Sequence, residues 1–142
     1  MKNEVYLDFT IADFEDISHD EITQKLGITP KMIYVKGTKK YPESSVATLV
    51  KRNRWIMGSP LDQHSSFENQ MNAMLDVIES KIDLFRPFCE KYHCEFSCAI
   101  FVRYDNEEST PWVHLDSRYN RLIKELNIEF DVDLYCLPDD ED

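Results

Sequence analysis

The chain has 142 residues and a mass of 16.8 kDa, with 16 Lys+Arg against 27 Asp+Glu for a net charge of −11. That length excludes two independent domains, and 42% hydrophobic with 12% aromatic residues excludes global disorder. No stretch approaches the roughly 18 apolar residues of a membrane span, and Met1-Lys2-Asn3-Glu4 lacks the apolar run of a signal peptide. A soluble, cytoplasmic protein is expected.

Val5, Leu7, Phe9 and Ile11 alternate with Glu4, Tyr6, Asp8 and Thr10, the period of a half-buried strand. Ser18 followed by Glu21 spells a capping box and Gly27 a stop, predicting a helix over about 19–26. Met32 to Val35 reads as a second strand ending at Gly37, residues 38–46 as a loop, and residues 47–57 as a third strand. Phe67, Met71, Met74, Leu75, Ile78, Ile82 and Phe85 recur at spacings of three and four, predicting one long core helix. Ser65 with Glu68 opens it, and Pro87 kinks or breaks it.

Phe96 to Tyr104 alternates as a central strand, followed by a polar loop from Asp105 and a short extended piece, Trp112 to Leu115. Asp116 caps a helix carrying Tyr119, Leu122, Ile123 and Leu126, which Asn127 ends. A last strand places Ile128, Phe130, Val132, Leu134 and Cys136 in the core and Glu129, Asp131, Asp133 and Tyr135 opposite. Pro138 stops it. The expected architecture is one α+β domain over residues 1–138, with a solvated acidic tail at 139–142. Its first six elements match a ferredoxin-like order, giving an antiparallel or mixed sheet of about five strands with helices packed on one face.

Three stretches together resemble a known pattern: Leu26-Gly27-Ile28-Thr29-Pro30, Trp55 before Ser59, and Asp131-Val132-Asp133-Leu134-Tyr135. Over most of the chain they are similar to the bacterial family catalogued as domain of unknown function 4279. The segment Phe67 to Leu75 falls on that family's long amphipathic helix, where members often carry a His and this chain has Gln70. The resemblance implies an intracellular bacterial α+β domain and supplies no catalytic residue; Gln70 counts against a His-dependent site.

Chemistry-bearing residues are sparse. Cys89, Cys94, Cys98 and Cys136 include no CxxC pair, so with His93 they do not spell a zinc site; free core thiols are expected, and neither metal nor cofactor. His19, His64, His93 and His114 lack paired spacing, a Cys94–His114 nucleophile pair would have to meet in space, and three glycines leave no phosphate loop. Asp131 and Asp133 share a strand face with Glu129, where like carboxylates hold a hard cation, attract a basic partner, or simply stand in water. Trp55 is expected in the core beneath the long helix. Trp112, after Pro111 in a polar loop, is expected to pack under that loop, and if exposed to anchor a partner.

Charge is unevenly distributed. Lys31, Lys36, Lys39, Lys40, Lys51, Arg52 and Arg54 face Glu43 alone within residues 31–54, a net +6 that leaves −17 on the other 118 residues. This basic hairpin either contacts acidic groups, folds against the protein's own acids, or is a solvated edge. Phosphate repulsion at −11 argues against nucleic acid as the ligand. The leading expectation is a non-catalytic protein-binding module, in its most concrete form an immunity protein neutralising a basic toxin. A ligand-binding or enzymatic domain is the alternative, with a pocket near His114, Tyr119 and Asp133 between the sheet and the loops at 38–46 and 105–116. Pairing of an open sheet edge or face with a second copy is a third reading.

Overall fold

The computed structural model describes residues 2–138, so the acidic tail at 139–142 lies outside the described residues. The elements are β1 (Glu4–Ala12), α1 (His19–Leu26), β2 (Met32–Tyr34), β3 (Arg54–Gly58), α2 (Phe67–Ser80), α3 (Ile82–Lys91), β4 (His93–Tyr104), α4 (Ser117–Glu125) and β5 (Glu129–Pro138). They form an α+β fold around a five-stranded mixed sheet ordered β2-β3-β1-β4-β5. β1 pairs antiparallel with both β3 and β4, β2 antiparallel with β3, and β5 parallel with β4. The parallel pair needs a crossover, and α4 supplies it.

Local chemistry sets most boundaries. The Ser18 hydroxyl accepts from the Glu21 N–H, and Gly27 adopts φ +65°, a left-handed turn that costs glycine little and gives its N–H to Thr23 O. The Asp116 carboxylate accepts from the Tyr119 N–H at the start of α4. At α2 the cap is Ser66, which accepts from Asn69 N, rather than Ser65; the Ser65 N–H is drawn back to Asp62 O in the preceding turn.

The long helical stretch is two helices. The chain breaks at Lys81 (φ −130°, ψ 28°), six residues before Pro87, which sits inside α3. The Ser80 hydroxyl donates to Val77 O, and the Lys81 ammonium reaches Leu26 O at the end of α1, where a cation meets free carbonyls. The break lets α2 lie over β1 while α3 lies over β4. The third strand is also shorter than its apolar content suggested. Residues 37–50 instead form a small arm, bridged at Lys39 and Leu49 and closed by Lys40 N to Thr48 O and Val50 N to Thr38 O.

All helices pack on one sheet face. That face contributes Val5, Leu7, Phe9 and Ile11 from β1, Trp55 and Met57 from β3, and Cys94, Phe96, Cys98 and Ile100 from β4, all buried. Each large apolar side chain so buried stabilises the fold by roughly 1.5–3 kcal/mol. Edge-to-face and tilted ring contacts thread this core: Phe85–Phe9 at 5.5 Å, Phe9–Phe96 at 5.6 Å, Phe96–Tyr119 at 5.9 Å and Tyr119–Phe130 at 6.0 Å. Trp55 is fully buried as expected, but α1 covers it rather than the long helix, and its indole N–H donates to the Thr23 hydroxyl at 3.0 Å.

The last strand departs from its expected burial. Ile128 and Phe130 pack beneath the helical layer, whereas Val132 is 45% and Leu134 62% exposed and Cys136 is exposed. Alternation correctly assigns their side; the helical layer does not extend over that end of the strand.

Candidate functional site

Among the described residues, no helix packs on the opposite face of the sheet. Its side chains follow from the registers: Tyr6 beside Ala99 and Asp8 beside Ser97 across β1 and β4, then Glu95–Glu129, Ser97–Asp131, Ala99–Asp133 and Phe101–Tyr135 along β4 and β5. One row therefore runs from His93 through three rungs bearing acids to a ring pair, Phe101 stacked on Tyr135 at 4.9 Å and 12°. The Tyr6 ring meets Phe101 edge-on at 5.8 Å.

Several acids on this face are already partnered. Lys31 pairs with Asp8 at 3.0 Å and stands over the Tyr6 ring. The Tyr6 hydroxyl donates to Glu4 in a short hydrogen bond, which raises the phenol's pKa, and Arg103 approaches Glu4 at 3.9 Å. His93 Nε2 lies 3.4 Å from Glu95 Oε2 and 3.6 Å from Glu129 Oε2. Asp131 and Asp133 differ: both are exposed, and among the described residues neither has a hydrogen bond or ion pair.

The sequence-level candidates are only partly gathered. Glu129, Asp131 and Asp133 do share the open face. Trp112, expected under its loop, is 62% exposed; it contacts His114 at 5.7 Å and shares a recess with Phe67 and His64 at the start of α2, away from the acid row. Its loop is built from polar residues that leave nothing to bury an indole. His114, Tyr119 and Asp133 do not converge, since Tyr119 is buried on the helical side of the sheet and Asp133 stands on the other.

The basic hairpin is largely spent on the protein's own groups. Arg52 grips Asp13 with two hydrogen bonds of 2.7 Å, which hold that carboxyl below its ordinary pKa, and Lys36 pairs with Glu15. The Lys39 ammonium donates to Ser44 O, while Lys40 lies over Tyr41 and Arg54 over Tyr34. A cleft of about 330 Å³ opens among Tyr34, Lys40, Lys51, Arg52 and Arg54.

Thiol chemistry is muted. Burial pushes Cys98 up to about 12, and a hydrogen bond with Cys89 together with burial drives Cys94 up, so both stay protonated and unreactive at neutral pH. Cys136, expected in the core, is exposed because its strand runs beyond the helical cover.

Two features escaped the sequence reading. Gln70 is buried at 1% exposure, where its amide donates to Val5 O, Asp62 O and Ser65 O and its carbonyl accepts from Leu7 N. It occupies the ladder position along β1 that β3 leaves vacant before Asp8. The second is the convergence of His93, Glu95 and Glu129. Its i, i+2 half is visible in the sequence, but the third member arrives only through the β4–β5 register.

No helix among the described residues is long and apolar enough to cross a membrane. Comparison with known proteins found no matching curated protein and no matching solved structure. The family model described as Domain of unknown function (DUF4279) matches residues 3–137. The helical segment around Gln70, Trp55 in the core and the acid-bearing last strand all lie within that span, and the chain belongs to the DUF4279 family.

Proposed function

We propose that the protein is a non-catalytic binding module whose helix-free sheet face docks a basic protein. One observation carries the reading: Asp131 and Asp133 stand exposed and unpartnered among the described residues, two rungs and one rung from the Phe101–Tyr135 stack. Like charges held side by side on a rigid strand repel each other, and an incoming Lys or Arg relieves that repulsion. The neighbouring rings offer apolar area and a cation–π surface to the same side chains. A net charge of −11 adds long-range steering of a basic partner. Neutralisation of a basic toxin is the most specific form of this function, because an acidic face occupies the surface such a toxin would turn to phosphate.

The test is affinity capture from the native cell, identification of the captured protein, and repetition with Asp131→Lys/Asp133→Lys. The reading expects a basic partner whose binding to the variant falls about tenfold or more, with a steep salt dependence in the wild type. A partner that binds both proteins equally, or an acidic one, overturns it.

A further inference from the structure

At the opposite end of the same row, the geometry points to a divalent transition-metal site formed by His93, Glu95 and Glu129, with Zn²⁺ as its natural occupant. The three ligand atoms lie within 4.8 Å of one another, and Nε2 of His93 is 3.4 Å and 3.6 Å from the two carboxylate oxygens. Zinc bonds of about 2.0–2.1 Å at tetrahedral angles place neighbouring ligand atoms about 3.3–3.4 Å apart, so those two separations already approximate a coordination sphere. One imidazole with two carboxylates suits a borderline ion, and three protein ligands leave a fourth position open on the solvent side.

The placement is rigid. His93 and Glu95 are alternate residues of β4, and Glu129 is in register with Glu95 on β5, so the backbone ladder fixes all three without a loop. The Ser97 hydroxyl donates to Glu95 Oε1 at 3.4 Å, which orients that carboxylate with Oε2 toward His93, the kind of supporting contact that metal-binding carboxylates carry. A cation also offsets the repulsion between two carboxylates held side by side on one rung. The nearby Arg52 shares its charge between Glu95 and Asp13, and its two hydrogen bonds, from Nε and Nη2, go to Asp13. Binding requires neutral His93 with its proton on Nδ1, leaving the Nε2 lone pair for the ion. The site is independent of the docking reading, because Asp131 and Asp133 contribute no ligand to it.

The test is calorimetric titration of the full chain with Zn²⁺, together with visible absorption of the Co²⁺ form. The expected result is one equivalent of Zn²⁺ and the intense absorption of tetrahedral Co²⁺. Both should be lost in His93→Gln, and affinity should fall about tenfold or more in Glu129→Gln. Glu129 is 67% exposed, so its substitution leaves the fold intact, as circular dichroism will show. Cys136→Ser should leave binding unchanged. Absence of Zn²⁺ binding by the wild type, equal binding by His93→Gln, or loss of binding on removal of Cys136 overturns the assignment.

Discussion

Gln70 shows how one side chain closes an account that backbone pairing leaves open. β3 covers β1 only from Asp8 onward, so Leu7 N–H and Val5 C=O would be buried without partners; the carboxamide, with one acceptor and two donor hydrogens, serves both. The same amide holds Asp62 and Ser65, fixing the loop that leads into α2. Replacement by leucine keeps the volume but orphans these groups. Gln70→Leu is therefore expected to cost about 2–4 kcal/mol in urea unfolding, well above a typical surface change. A cost below about 0.5 kcal/mol would show that water satisfies the strand instead.

At the scale of elements, β5 is a strand of two halves. Near its start the helical layer buries Ile128 and partly buries Phe130 against Phe67 and Tyr119, and further on Val132, Leu134 and Cys136 lie uncovered. Removal of a buried side chain loses its transfer energy and leaves a cavity, whereas an exposed one loses little. Ile128→Ala is expected to cost about 2–4 kcal/mol and Leu134→Ala less than about 0.5 kcal/mol, both read from denaturant midpoints at unchanged slope. Equal costs would mean that the uncovered half is buried in solution, which is the signature of a second copy on that edge. The break at Lys81 belongs to the same scale: it gives α2 and α3 different strands to cover, so the two faces of the periodic run need not form a single stripe.

Across the whole molecule, charge is imperfectly balanced. Surface pairs such as Arg118 with Asp76 and Glu79, or Lys91 with Asp16, offset some acids locally, but exposed pairs contribute little each and the net −11 remains. Long-range repulsion among the rest opposes folding, and salt screens it: the Debye length falls from about 30 Å at 0.01 M to about 8 Å at 0.15 M. Raising NaCl over that range is expected to increase the thermal midpoint by about 2–4 °C, measured by circular dichroism. A fall would mean that the local pairs outweigh the net field.

What the sequence by itself determined is whatever depends on neighbours along the chain. Alternation in β1 and β4, the Ser18 and Asp116 caps, the Gly27 stop and the burial of Trp55 were all legible, because each rests on side-chain periodicity or on a cap within three residues. The pattern also carried the chain's family. Tertiary structure decided where cover ends. Only packing shows that α1 lies over Trp55, that the helical layer stops short of Leu134 and Cys136, and that the basic hairpin is held by Asp13 and Glu15. The candidate site follows the same division. Strand alternation put Glu129, Asp131 and Asp133 on one face, but their neighbours across the ladder, from His93 and Glu95 to Phe101, are fixed by a parallel register between segments more than thirty residues apart. Periodicity says which way a side chain points; it carries no information about which strand will stand beside it.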